Sequence, residues 1–353
     1  MSSGAMTSAQ RLATTMGHRE PDRVPFLLPG VMQGARELGL SIQEYFSKAE
    51  YAAEGQWRSH VKYGDDALIG FMYGAVETEA WGCEVIYRGD GPPNAGEPFM
   101  KSPDDILRME PPRIDASPCL LKVLRLIELL KARAGDQVPV MGSVISPFSL
   151  PVLQMGFEAY LLLMQEQPEL LDRLLRMNEE FCVAWANAQL EAGAGAIAYA
   201  DPVSSPSIVP RDLYLKTGFP VAKRTLARIK GAVATSFASG RCLAILDDVA
   251  QTGTVGVGAS VLEDLARVKA ACRGRLTVMG NLNAIEMRRW TPAMAESKVK
   301  EAIAKAGVGG GYVLTDNHGE IPWQVPDDVL LAIAEAVRTW GQYPLTWVES
   351  HGR

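Results

Sequence analysis

Residues 120–144 read L-L-K-V-L-R-L-I-E-L-L-K-A-R-A-G-D-Q-V-P-V-M-G-S-V, a long amphipathic segment and then, after a short polar break, an apolar run. The first part has helical periodicity, and the second has the length and composition of a buried strand. The run continues into Ile145-Ser146-Pro147-Phe148, so a polar residue stands where the strand ends. The same order recurs to the C-terminus. Helices are expected over 156–192, with Pro168 opening one of them, and a strand over 196–200 that ends at Asp201-Pro202. Helices over 210–216 and 220–230, a strand over 232–237, a helix from 243 to 250, a strand-like run at 259–262 and a helix over 265–273 follow. A strand at 276–279 ends in Gly280-Asn281-Leu282-Asn283, a helix covers 291–306, the last strand is 312–314, and the closing helix is 326–340.

Such alternation builds a parallel sheet, and eight repeats close it into a (β/α)8 TIM barrel. The first strand is placed at 24–28, with an N-terminal insertion running through about residue 110. The expected organisation is therefore an N-terminal tail, 1–20, and a single catalytic barrel domain, 21–345. Active sites of these barrels lie where the strands end. That makes Ser146, Asp201, Ser239, Asn281, Asn283, Asp316, His318 and Glu320 the candidate residues.

The last of these ends is chemically the richest. Residues 310–325, G-G-Y-V-L-T-D-N-H-G-E-I-P-W-Q-V, set Asp316, Asn317, His318 and Glu320 just after an apolar strand. The chain has four histidines. His18 lies in a polar run, His60 in a charged helical segment and His351 almost at the C-terminus, so His318 is the expected acid, base or metal ligand.

Composition narrows the function classes. An apolar content of 47% and a charged content of 22% are those of a globular protein, and no apolar run is long enough to span a bilayer. The start, M-S-S-G-A-M-T-S, lacks the basic and apolar regions of a signal peptide, and a cytoplasmic location is expected. Cysteines 83, 119, 182, 242 and 272 show neither a disulfide framework nor the spacing of a preassembled structural zinc site. A net charge of -6 with interspersed basic residues gives no footprint for nucleic acid, so small molecules or a protein partner, including a second copy in a homodimer, remain.

Five segments together resemble the uroporphyrinogen decarboxylase superfamily, barrels that include the decarboxylase and cobalamin-dependent methyltransferases. They are R-E-P-D-R-V-P (19–25), Y-G-D-D-A-L (63–68), A-D-P-V-S-S (200–205), G-N-L-N (280–283), and N-H-G-E-I-P (317–322) with V-P-D-D (325–328). The resemblance would put Asp66 where the decarboxylase keeps an aspartate for pyrrole nitrogens. It also implies an arginine-rich segment after the first strand, to pair with substrate carboxylates. Here that stretch is L-P-G-V-M-Q-G-A-R-E, with Arg36 alone. The thiol-methylating branch resembles itself in an H-x-C-G segment and a later cysteine that hold zinc. This chain reads Phe237-Ala238-Ser239-Gly240, with His318 at the later position. Zinc held by Cys242, His318 and Glu320 stays chemically allowed.

The branch that remains transfers a methyl group from a small methylated donor, with a methoxylated aromatic expected first (O-demethylation), to a corrinoid. The alternatives are decarboxylation, zinc-dependent methylcorrinoid:thiol transfer, and a non-catalytic small-molecule-binding barrel. The segment G-F-M-Y-G-A-V-E-T-E-A-W-G (70–82) offers Phe71, Met72, Tyr73 and Trp81 as an aromatic donor pocket, with Trp323 as another wall. His318 as imidazolium, held by Asp316 or Glu320, or Tyr73, or a zinc ion, is expected to assist the departing oxygen. Asp201 would orient the donor or the histidine, and Asn281 and Asn283 would hold a substrate oxygen. A D-x-H-x-x-G signature of corrinoid proteins is broken at Ile321, so the corrinoid (cobalamin) is expected on a separate partner protein.

Overall fold

The computed structural model of the protein describes residues 6–350. Its central sheet is parallel throughout and runs, side by side, through β1 (Leu68–Ile69), β4 (Val140–Ile145), β5 (Ala196–Ala200), β6 (Ala232–Ser236), β7 (Gly256–Gly258), β8 (Thr277–Leu282) and β9 (Tyr312–Asp316). Two further strands, β2 (Val85–Arg88) and β3 (Gly91–Ala95), form an antiparallel hairpin within the insertion. The 24–28 segment takes the eighth place. Phe26 bridges Leu314 in parallel, Leu27 N–H donates to Leu314 (2.8 Å), and on the other side Asp66 N–H donates to the Phe26 carbonyl (2.8 Å). The sheet is thereby curled into the expected barrel.

The helices form for legible reasons. Pro118–Ala134 begins on a proline, ends at Gly135 with φ +57°, and buries Leu120, Val123, Ile127 and Leu130, spaced three and four apart. Along β5, Ile197 and Tyr199 are fully buried under the helices while Ala196, Ala198 and Ala200 face the axis. The helical region expected at 156–192 is three helices, Pro151–Met155, Phe157–Glu166 and Pro168–Glu191. The strand expected at 259–262 lies earlier, at β7: Ser260 Oγ accepts Leu262 N–H (3.1 Å) and turns that apolar run into a loop. The segment expected as a tail holds the helix Ser8–Met16, started by a capping box of Thr7 and Gln10. No helix of the described residues is long and apolar enough to cross a membrane.

That first helix is bound to the barrel by charge. Asp66, fully buried at the N-terminal end of β1, accepts from Arg11 (2.6 Å), Arg23 (2.7 and 3.1 Å), the Ser8 hydroxyl (3.0 Å) and Phe26 N–H (2.9 Å). Arg11 also forks onto Asp22 (2.6 and 2.7 Å). Asp66 is thus committed at the pole opposite the strand C-termini, and the substrate-binding role implied by resemblance is corrected: its carboxylate is saturated by the protein's own arginines. Asp66→Ala leaves two nearly buried guanidinium groups short of a partner, and a loss of about 3–5 kcal/mol is expected. Urea denaturation measures it; a loss below about 1 kcal/mol would show that the seam does not depend on this carboxylate.

Candidate functional site

The strand C-termini open into a mouth, and its most polar sector follows β9. Asp316 Oδ2 accepts the backbone N–H of His318 (2.6 Å) and Gly319 (2.8 Å), closing a tight turn in which Gly319 adopts φ +89°. The carboxylate therefore holds the backbone of His318, and the expectation that it grips the imidazole is corrected. The loop is sewn to the loop after the first strand. Ile321 N–H donates to Pro29 (3.0 Å), Gln33 Nε2 donates to the carbonyls of Ile321 (3.2 Å) and Pro322 (3.0 Å), and Arg36 donates to Val325 (3.0 Å).

What this sector leaves open is more telling than what it binds. Asp316 Oδ1, both ends of the Asn317 amide, His318 Nδ1, Glu320 Oε1 and Gln33 Oε1 are buried without a hydrogen-bond partner among the described residues. Buried polar atoms normally find partners, so this many in one loop pair mark a place where water or a ligand belongs. Burial pushes the Asp316 carboxyl up to about 6 against the pull of its two backbone donors. Burial also lifts Glu320 to about 7, with the neighbouring Asp316 charge adding to it. Burial lowers the His318 pKa, so the ring is a neutral imidazole near neutral pH, and the expected imidazolium is corrected.

Other candidates sit elsewhere on the rim. Asp201, 2% exposed, accepts the hydroxyls of Ser146 (2.6 Å) and Ser149 (2.8 Å) and so ties the ends of β4 and β5. Three strands separate it from β9 around the ring, and the described residues show its carboxylate bonded to serines with no hydrogen bond to His318. Asn281 donates to the Ser260 carbonyl (3.0 Å), Asn283 Oδ1 caps Ile285 and Glu286 N–H, and Ser239 lends its carbonyl to Ser260. Cys242 is buried with Sγ 3.6 Å from the Gly258 carbonyl, and burial raises its thiol far above the ordinary range. Among the described residues no three His, Cys, Asp or Glu side chains are grouped as around a metal ion. Cys242, His318 and Glu320 thus do not form the zinc site that their chemistry allowed.

The expected aromatic pocket is also redistributed. Tyr73 is fully buried, its hydroxyl donates to Glu79 (2.6 Å), and its ring packs edge-on against Phe46 (5.5 Å) and Tyr87 (6.3 Å). Met72 is core. Trp81 stacks on Phe99 (6.3 Å) and meets Phe181 edge-on (5.7 Å), joining the insertion to the helix Pro168–Glu191. These three pack the insertion and are not a donor pocket; Phe71, half-buried just after β1, packs against the same core. Trp323 lies beneath the Arg36 guanidinium, 4.2 Å from its ring centroid.

Two residues escaped the sequence reading. Gln33 stood in the stretch compared with the arginine-rich segment. Glu77 was hidden in the aromatic segment, where only a carboxylate amid apolar residues signalled it. It is 2% exposed, its Oε1 accepts Ile145 N–H (2.8 Å), and its Oε2 has no hydrogen-bond partner among the described residues.

A closed parallel barrel with unpartnered polar groups at its C-terminal mouth has the layout in which barrel enzymes hold their sites. The uroporphyrinogen decarboxylase (URO-D) family profile matches residues 7–340, and the chain belongs to that family. A methylcobamide:CoM methyltransferase MtaA of Methanosarcina barkeri is 26% identical, covering 93% of this chain and 97% of its own. A uroporphyrinogen decarboxylase of Methylococcus capsulatus is 25% identical, covering 86% and 87%. The solved structure of a methyltransferase from Methanosarcina mazei shares the fold, with a TM-score of 0.80 at 23% identity over 95% of this chain and 99% of that one.

Glu77 generates a pH prediction. Burial raises its carboxyl from an ordinary 4.5 to about 8. Below 4.5 both folded and unfolded states hold the proton; between there and about 8 only the folded state does, so its stability falls as pH rises and levels off above. Glu77→Gln keeps an acceptor for Ile145 and lacks this loss. The variant should gain on the wild type across that window in denaturation midpoints, and parallel curves would reject the assignment.

Proposed function

We propose that this chain is a methyltransferase that passes a methyl group from a small methylated donor, a methoxylated aromatic first, to the cobalt of a separate corrinoid protein. One observation carries it: the loop after β9 presents His318 and Glu320 with unpartnered polar atoms, and no grouping of metal-binding side chains is found among the described residues. Activating a thiol as acceptor calls for metal-bound thiolate donors, and Cys242, the cysteine considered as a ligand, is buried with its Sγ against the Gly258 carbonyl. Holding a polycarboxylate for decarboxylation calls for free guanidinium groups, and Arg36 is engaged by Trp323 and Val325. The methylcobamide:CoM methyltransferases among the relatives support methyl transfer at a corrinoid.

The reduced corrinoid supplies the nucleophile that takes the methyl carbon. In the bond change, carbon–oxygen cleavage leaves its electron pair on oxygen, and the protein's task is to receive that charge. The neutral imidazole of His318 offers an N–H to the departing oxygen. Glu320, with a carboxyl pushed up to about 7, still carries its proton in about half of the molecules at neutral pH and delivers it to the phenolate. Asn317 adds amide contacts from the same turn. A corrinoid protein would dock over the C-terminal ends of the strands.

Incubation with reduced cobalamin and a panel of methoxyarenes, methylamines, quaternary amines and methyl thiols tests the reading by the absorbance of methylcobalamin. Methoxyarenes should react; no product from any donor would reject methyl transfer. His318→Ala should lower the rate on the order of a hundredfold or more with an unchanged melting temperature. The rate should fall as pH rises through about 7, and Glu320→Gln should remove that dependence.

A further inference from the structure

The loop that carries His318 and Glu320 leans on a bracket made by two helices of the N-terminal insertion. The helix Gln33–Leu38 crosses the helix Ala49–Tyr63 at Gly34 and Gly55, where a Cβ on either glycine would stand 2.7 Å from the backbone of the other. Packing that close leaves the helices no freedom to slide. Gln33 and Arg36, three positions apart, share one face of the shorter helix.

The bracket meets the loop at three points. Gln33, fully buried, donates its side-chain amide to the carbonyls of Ile321 (3.2 Å) and Pro322 (3.0 Å), and the Ile321 carbonyl has no other donor among the described residues. Arg36 donates to the Val325 carbonyl (3.0 Å) and covers the Trp323 ring. Lys62 pairs with Asp327, whose other oxygen accepts the Tyr63 hydroxyl (2.8 Å). Asp316 fixes the near end of the loop from within, through the amides of 318 and 319. A turn held only there could swing about that end. Gln33 grips the residue directly after Glu320, so a displacement at its two carbonyls passes to the side chains at 318 and 320.

We infer that Gln33 and Arg36 are positioning residues, which fix from outside the loop the places that His318 and Glu320 take against the departing oxygen, a role that rests on the methyl-transfer reading of the mouth. Transfer is sensitive to such placement, because an error of about 1 Å at a reacting group costs on the order of a hundredfold in rate.

Two variants of the full-length protein test the bracket. Gln33→Met keeps the shape and removes the donor, and Arg36→Met does so at the half-buried second point. Proton NMR titration of the His318 ring, assigned by its loss in His318→Ala, follows the loop without any substrate. Burial lowers the pKa of that ring in the wild type, so in each variant it should rise toward the ordinary 6.5 as water enters. Amide exchange at Ile321, which donates to Pro29, should quicken as well. With reduced cobalamin and a methoxyarene, kcat should fall on the order of tenfold to a hundredfold while KM stays within about twofold. A variant that was merely less stable would lose kcat with the ring titration unmoved. Ring titration and loop exchange unchanged in both variants overturn the proposal, and so does full kcat in a variant whose ring has moved. If Gln33→Met fails to fold, Arg36→Met decides. Absence of methyl transfer by the wild type rejects the reading of the mouth instead, and the ring titration still judges the bracket.

Discussion

A carboxylate with no access to water holds this barrel shut. Asp66 receives guanidinium protons from Arg11 and Arg23, the hydroxyl of Ser8 and the amide of Phe26, so one side chain joins the first helix, the first strand segment and the start of β1. The charge cannot be given up cheaply: a buried ion without its partners is far worse than none at all. The 24–28 segment makes few ladder bonds of its own, and its place in the ring rests on this cluster as much as on the sheet.

From that seam the constraint passes to the mouth. The loop leaving the first strand supplies Gln33 and Arg36, and these take carbonyls of 321, 322 and 325. The loop carrying His318 and Glu320 is thus held from outside by residues nearly 290 positions away in sequence. The loop is held through backbone groups at 318, 319, 321 and 322, which leaves its reactive side chains out of the bracing. Such a division of labour suits a site that must keep donors free for a substrate.

Much of the fold could be read from the chain, because alternating apolar runs and amphipathic segments report burial directly. The strand over 196–200 and the helices of the C-terminal half fall at or within a few residues of where periodicity puts them. Position after a strand was readable too, as for Asp201 after β5 and Asp316 at the end of β9. What could not be read is which way each rim residue turns. Tyr73 and Trp81 looked like pocket walls, but Glu79, Phe99 and Phe181, distant or unremarkable in the sequence, claim them. The structural role of Asp66 was hidden because its arginine partners lie 43 and 55 positions away. Glu77 was invisible for the opposite reason, since an acidic residue in an apolar run is recognised as buried only once Ile145 is seen to donate to it.

The turn after β9 has an evolutionary consequence. Its shape is set by the carboxylate of Asp316 and the conformational freedom of Gly319, together with backbone bonds at 321. None of these involves the side chains at 317, 318 or 320. The scaffold therefore tolerates exchange of the chemical groups it displays. A sulfur ligand, an imidazole or an amide can occupy the same perch without the loop having to refold, and descendants of one barrel can part ways in reaction by single substitutions there while inheriting the architecture intact.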